Sequence, residues 1–484
     1  MVRRLLAYYQ KLNKPVKASL WFVICGFLQK GISMLTTPIF TRVMTEAEYG
    51  RYSVYSSWFS ILQIIVSLNL AAGVYTKGLV KNEEDEDRFS SSMLGLSTVC
   101  ILIWCIVYAF FHDLFNQWLG LTTLLMIALL VDVWATAVFQ FWSNRERVHY
   151  RYIKLVALTL TSVFLRPVLG VVFVMSANVQ YQVEARVITT VLVNLLLFST
   201  LYVVIMRKGK CFFHREYWLY ALKFNIPLVP HYLSQTVLSQ SDKLMINSMC
   251  GPSETAYYSV AYTLAMVLQI LNTSISSTMN PWIYQSIKKN ELQKIGKVSY
   301  TVLLLIALMN FAVVLSAPEL LRILAPSSYQ AAIWVVPPVT VSVFFMFLYN
   351  LFATFEYYYE KTHYVALATV LGAALNVVLN AVCIPRFGFV AAGYTTLACY
   401  ILYAMAHYMF MRKVNRKCMN DVKVYNLKVI IGIGVLLIIS ALLVMMLYNF
   451  PIVRYGMLLL IVIVVFIKRK TLTRLFQTLL NKSG

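Results

Sequence analysis

Eight short stretches of this chain hold 33 of its 42 lysines and arginines, and long apolar segments run between them. The cationic stretches are the N-terminus (Arg3, Arg4, Lys11, Lys14 and Lys17), 77–88, 143–154, 207–223, 288–297, Lys361, 412–428 and 468–482. The apolar segments divide into fourteen spans, near 18–41, 52–75, 89–111, 118–142, 152–175, 181–206, 219–248, 254–280, 298–317, 331–355, 363–383, 388–411, 427–448 and 452–468. Each is long enough, or nearly so, to cross a hydrocarbon core of about 30 Å at about 1.5 Å per helical residue. The seventh is over-long, and its start is placed in the membrane interface. With fourteen spans, every cationic stretch falls on one side. Only Arg42, Arg51, Arg322, Arg386 and Arg454 sit on or beside the opposite connections. The cationic side faces the cytoplasm, so both termini are predicted to be cytoplasmic. The expected fold class is all-α, a polytopic membrane protein of about fourteen helices.

Composition excludes the soluble alternatives. Hydrophobic residues make up 60% of the chain, charged residues 13%, and mean hydropathy is +0.70. The formal charge of +23 is read as juxtamembrane anchoring against anionic lipid headgroups. Outside the spans no basic surface with interleaved stacking aromatics is evident, so no nucleic-acid partner is expected. The eight cysteines contain no CxxC pair, which argues for reduced thiols and against a metal or disulfide framework. The first apolar stretch is too long for a signal-peptide core and contains Lys30, so it is expected to stay as a helix.

Chemistry-bearing motifs are missing. Gly26-x4-Gly31 continues as Ile32-Ser33, without the lysine a phosphate loop needs, and it lies within a span. No HExxH, Gly-x-Ser-x-Gly or paired-carboxylate constellation falls on a loop. The histidines (His112, His149, His214, His231, His363 and His407) are scattered. The connections are too short for a nucleotide-binding domain. No catalytic residue, cofactor or metal is expected, and the chain is not read as an enzyme.

An internal repeat organises the spans. EYGRYSVYSSWFSILQI at 48–64 and ETAYYSVAYTLAMVLQI at 254–270 share seven of seventeen residues at an offset of 206, among them Glu48/Glu254, Tyr52/Tyr258 and Gln63/Gln269. Duplication would map span 2 onto span 8. The chain would then divide into an N-lobe at 1–210, a C-lobe at 211–411, and helices 13 and 14 with a cytoplasmic tail at 412–484. Six spans per half is an even number, which gives a parallel repeat about an axis along the membrane normal, as in several transporter folds that rock around a central site.

Charges inside the spans mark where such a site would be. Lys30, Asp132 and Arg166 lie well inside spans 1, 4 and 5, and Asp242 and Lys243 lie in span 7. A charge at mid-bilayer costs about 2.5–3.5 kcal/mol on insertion scales, so it faces a bundle interior or a wet cavity. Asp132 and Arg166 admit two readings, a buried ion pair fixing spans 4 and 5 or a role with cargo. Asp242 and Asp132 are candidates for ion coupling or structural pairing. Arg186 and Glu184, nearer a span end, are read as snorkelling outward. Pro38, Pro167, Pro227 and Pro230 can bend their helices and leave carbonyls for water.

Taken as a set, these motifs resemble a known family. Thr37-Pro38-Ile39-Phe40-Thr41-Arg42 followed by Thr45-Glu46-Ala47-Glu48-Tyr49-Gly50 is similar to the first-helix signature of bacterial polysaccharide, or lipid-linked oligosaccharide (O-antigen type), flippases. Those proteins belong to the multidrug/oligosaccharidyl-lipid/polysaccharide exporter superfamily. Ile226-Pro227, Ser241-Asp242-Lys243, Ala256 to Tyr262 and Asn280-Pro281-Trp282 resemble the second-half signature. Pro385-Arg386-Phe387-Gly388 with Ala391-Ala392-Gly393 resembles the turn before helix 12. Lys243 stands where an arginine is common, which keeps the charge and loses the bidentate fork.

The resemblance implies two lobes around a cationic cavity in a bacterial inner membrane. It also implies export of an undecaprenyl-diphosphate-linked oligosaccharide for surface polysaccharide, with membrane lipids and glycan-assembly proteins as partners. Lys30, Arg42, Arg166 and Lys243 are the cationic substrate-binding candidates carried over from it. Two alternatives stand beside this reading. One is a multidrug/cation antiporter of the same superfamily, which would present acidic rather than basic groups. The other is a membrane glycan polymerase or ligase, which would need a sizeable outer loop.

Overall fold

The computed structural model describes residues 13–469 and Thr473, without the side chains of Lys14, Lys30 and Ser33. Arg3, Arg4 and Lys11 of the first cationic stretch lie outside the described residues, as does the tail beyond Thr473. Among the described residues the chain is helical throughout and contains no strand. It divides into two compact units, Met1–Gln240 and Ser241–Gly484.

The first unit holds α1 (Lys14–Val43), α2 (Glu46–Ser67), α3 (Val74–Lys81), α4 (Glu86–Leu119), α5 (Thr123–Val148), α6 (Tyr152–Ser176), α7 (Gln182–Gly209), α8 (Arg215–Asn225) and the first half of α9 (Val229–Met249). Short polar residues set the helix starts. Asn13, Thr45 and Thr122 each accept a hydrogen bond from a first-turn backbone N–H, which satisfies a donor that would otherwise be stranded. Helices α1, α6, α7, α5 and α2 pack in that order and close a ring, since α2 also touches α1.

The second unit holds the rest of α9, then α10 (Pro252–Lys288), α11 (Leu292–Leu315), α12 (Ala317–Leu324), α13 (Val336–Tyr358), α14 (Thr362–Phe387), α15 (Val390–Cys418), α16 (Leu427–Met446) and α17 (Pro451–Ile467). Its centre is α13, which is apolar on all sides and packs against α10, α11, α15 and α16. The best apolar window of α13 is 83% buried, against 28% for α16, which leaves most of α16 for lipid.

Among the described residues, ten helices are long and apolar enough to cross a membrane: α1, α4, α5, α6, α7, α10, α11, α13, α14 and α16. The shorter α17 is also apolar, while α2, α9 and α15 are long but more polar. Together these fourteen follow the expected spans in order. The chain is a multi-pass helical membrane protein. The three polar helices carry the serines, tyrosines and aspartate of the two buried polar regions described below, which is why their hydropathy dips.

Several span boundaries differ from expectation, two of them for identifiable reasons. The second span was placed at 52–75, but α2 runs Glu46–Ser67 and ends where Leu68 and Asn69 turn left-handed, each at φ 50. Asn225 donates to the Leu68 carbonyl at 2.5 Å and Asn144 to that of Ala71 at 2.6 Å, which holds the turn from two other helices. The over-long seventh span, 219–248, splits into α8 and α9 around a 3-10 turn at Ile226–Leu228. Pro227 and Pro230 supply no backbone N–H there, so one continuous helix is not formed.

Candidate functional site

The ring of five helices in the first unit encloses two adjoining hollows of about 270 and 430 Å³. They share Gln29, Tyr52, Arg166 and Thr190 as walls. Helical spacing puts the lining residues on one face of each helix: Gln29, Ile32, Thr36 and Phe40 on α1; Tyr52, Tyr55, Ser56, Phe59 and Ser60 on α2; Asp132, Thr136, Phe139 and Gln140 on α5. α6 adds Ser162 and Arg166, and α7 adds Arg186, Thr190 and Asn194. The walls mix hydroxyls, amides and aromatic faces around two guanidinium groups.

Arg166 is in no ion pair among the described residues. Its Nε is buried with no hydrogen-bond partner, and its guanidinium lies 5.8 Å from the Phe198 ring centroid. Asp132 is buried and accepts from Asn194 Nδ2 at 2.5 Å. Among the described residues the side chains of Asp132 and Arg166 are not joined in an ion pair. Arg166 lines both hollows, so its guanidinium brings positive charge to a polar wall that favours an anion.

Arg186 corrects its expected role. It does not snorkel outward: its guanidinium carbon lies 3.6 Å from the Phe40 ring centroid and 3.5 Å from that of Tyr52, stacked between them in the cavity wall. Two ring faces fix the plane of the guanidinium and stabilise its charge without neutralising it. The acidic residues nearby are used elsewhere. Glu48 and Glu184 both pair with Arg51, at 2.8 and 3.5 Å, and Glu48 also accepts from the Val183 N–H at 3.3 Å. That cluster fastens α2 to the start of α7.

The other carried-over cations are spread out. Lys30 is in α1, and its side chain lies outside the described residues. Arg42 is exposed and donates to its own helix's Pro38 carbonyl at 2.8 Å, off the cavity wall. Lys243 is half-buried in the second unit, its ammonium 5.6 Å from the Tyr262 ring centroid.

Asp242 is enclosed. It accepts from Tyr258 at 2.5 Å and from Thr396 and Asn380 at 2.6 Å each, so α9, α10, α14 and α15 meet on one carboxylate. Asn380 is held in turn by Thr395 and Asn376, and Ser241 donates to Asn376 at 2.7 Å. A further buried pair escaped the sequence reading. Glu356 and His407, on α13 and α15, meet at 2.8 Å with both side chains fully buried. Glu356 lies one residue beyond the expected tenth span, which hid it as an intramembrane carboxylate. Among the described residues no cluster of three or more histidine, cysteine, aspartate or glutamate side chains is placed to hold a metal.

Comparison with known proteins places this geometry. The family model described as "Polysaccharide biosynthesis protein" matches residues 16–287, and the one described as "MatE" matches residues 227–382. The Lsg locus protein 1 of Haemophilus influenzae is 22% identical over 386 residues, covering 75% of this chain and 90% of that protein. Among solved structures, the lipid II flippase MurJ in an inward closed conformation superposes with a TM-score of 0.70 at 13% identity, covering 94% of this chain and all of that one. An inward-facing multidrug resistance MATE family transporter of the MOP superfamily gives 0.63 at 13% identity, covering 83% and 96%. At these identities the structural likenesses speak to fold.

Proposed function

Because this chain belongs to the polysaccharide biosynthesis protein family, we propose that it carries a lipid-linked oligosaccharide from the cytoplasmic to the outer leaflet by alternating access. The cargo proposed is an undecaprenyl-diphosphate-linked repeat unit for surface polysaccharide. The membrane is the bacterial inner membrane, with both termini cytoplasmic, and no covalent bond is made or broken. The lobes proposed for this are 1–210 and 211–411, with 412–484 appended.

One observation carries the reading: Arg166 and Arg186 line a polar hollow, and among the described residues neither is in an ion pair, although Asp132 borders the adjoining hollow with Arg166. A sugar hydroxyl costs roughly 2–7 kcal/mol to bury in hydrocarbon without a partner, so unassisted crossing is slow. Hydroxyls and amides on the cavity wall offer those partners, and aromatic faces offer apolar contact for sugar rings. A diphosphate requires fixed cations, and the two guanidinium groups supply them. Lys30, Arg42 and Lys243 are proposed as further contacts along the path. An inside-negative potential favours outward movement of anionic charge by about 2.3 kcal/mol per charge per 100 mV. Enzymes that build and consume the glycan are the proposed partners.

The test is surface glycan in cells carrying Arg166→Ala or Arg186→Ala, with the folded protein quantified in membranes. Loss of glycan at normal protein level is expected, and wild-type glycan in both variants would remove the anionic-cavity reading. The MatE match and the buried Asp132 favour a second reading, a cation antiporter. Raised drug resistance with unaltered glycan would select it.

A further inference from the structure

The basic run that closes α15 is split by helical geometry into two sets with different fates. Arg412 and Arg416, one turn apart, both turn to Asp421: Arg412 meets it at 2.6 Å and Arg416 at 4.0 Å. Lys413 and Lys417, also one turn apart, lie on the neighbouring face and line a separate hollow of about 130 Å³. Lys361 and His363, from the start of α14, line the same hollow. Among the described residues none of the three lysines is in an ion pair. Three like charges converging on one space repel each other unless an anion lies between them.

The hollow is built rather than accidental. Tyr364 stacks on Phe410 with ring centroids 4.8 Å apart at 16°, and Lys413 sits 5.3 Å above the same tyrosine ring. The ring therefore sets one wall and positions one cation. α14 opens here with no acidic residue in its first turn and no side-chain cap, so its positive end adds to the lysines. The hollow, of about 130 Å³, is of a size to take a small anionic group. It lies between the start of α14 and the end of α15, on the side proposed to be cytoplasmic.

We infer that Lys361, Lys413 and Lys417 form a binding site for a phosphate group, separate from the cavity in the first unit and independent of the transport reading. Lysine ammonium groups suit phosphate as point charges. The phosphate comes from an anionic phospholipid headgroup or from free phosphate.

The test uses the purified full-length protein in neutral detergent, titrated with phosphatidylglycerol and read by native mass spectrometry. Phosphatidylcholine is the control lipid. The double variant Lys413→Gln/Lys417→Gln is expected to bind phosphatidylglycerol about thirtyfold more weakly at unchanged Tm, from the loss of about 1 kcal/mol for each of two basic residues near the headgroups. Arg412→Gln/Arg416→Gln removes the same charge from the adjacent face and is expected to stay within about twofold of wild type. Equal weakening in both double variants, or in neither, overturns the site. Should the lysine double variant unfold, Lys361→Gln replaces it under the same criterion. Displacement of the lipid by inorganic phosphate shows a site open to either source, and resistance to displacement identifies the lipid.

Discussion

Asp132 and Asp242 are both buried aspartates in long helices, and they serve opposite ends. Asp242 accepts three hydrogen bonds at 2.5–2.6 Å, from α10, α14 and α15. Asp132 accepts one, from Asn194, and borders the larger hollow, of about 430 Å³. The repeat sharpens the contrast. Glu48 and Glu254 are each the third residue of their helix, and Tyr52 and Tyr258 each the seventh. Yet Tyr258 clasps Asp242 through its hydroxyl, whereas Tyr52 lays its ring against Arg186 and faces the hollow. Matching positions thus yield a closed, satisfied polar centre in one unit and an open, under-satisfied one in the other. Satisfied groups hold helices together; under-satisfied ones are free to meet a ligand.

The strongest way to break this contrast is Asp242→Ala against Asp132→Ala. Removing the Asp242 carboxylate strands three buried neutral donors, and a loss of about 1–3 kcal/mol for each is expected. Thermal unfolding in detergent should show Asp242→Ala far below wild type and Asp132→Ala close to it. Equal destabilisation would dissolve the distinction. Next comes Arg186→Lys, which keeps the charge and loses the planar stack between Phe40 and Tyr52. A desolvated cation–π contact is worth about 2 kcal/mol, so glycan export should fall about tenfold or more while protein level holds. Export at the wild-type rate would show that charge alone suffices.

Much of the fold was legible because hydropathy and cation placement act locally along the chain. The break at Leu68 and Asn69 was not: neither is glycine, and the turn is held by Asn144 and Asn225, far away in sequence. Arg166 could be picked out by its depth in a span. Arg186 could not, since its position near a span end suits snorkelling and its two ring partners come from other helices. The enclosure of Asp242 was equally hidden, because its donors sit 16 to 154 residues away.

The tyrosine pair offers a finer test. Tyr258→Phe removes one hydrogen bond to a buried acceptor, with an expected loss of about 1–3 kcal/mol. Tyr52→Phe keeps the ring that faces Arg186, and its Tm should stay at the wild-type value. The smallest effect concerns a contact in the second unit between buried Arg454 and partly exposed Glu319. Arg454 donates two hydrogen bonds to Glu319 at 2.7 Å each, which holds that carboxyl below the usual range. Depression of a folded-state acid contributes stability above the unfolded pKa of about 4.3 and is lost as pH falls through the folded value. Wild-type Tm should therefore decline slightly more steeply below about pH 4 than that of Glu319→Gln. Parallel profiles would show that solvent screening cancels the pair.

The most direct measurement is equilibrium binding of a lipid-diphosphate-linked oligosaccharide to the full-length protein in nanodiscs, wild type beside Arg166→Ala/Arg186→Ala. Affinity is expected to fall at least about tenfold in the double variant, with Tm preserved. Unchanged affinity in a folded double variant would mean that the hollow in the first unit does not hold the cargo's phosphates.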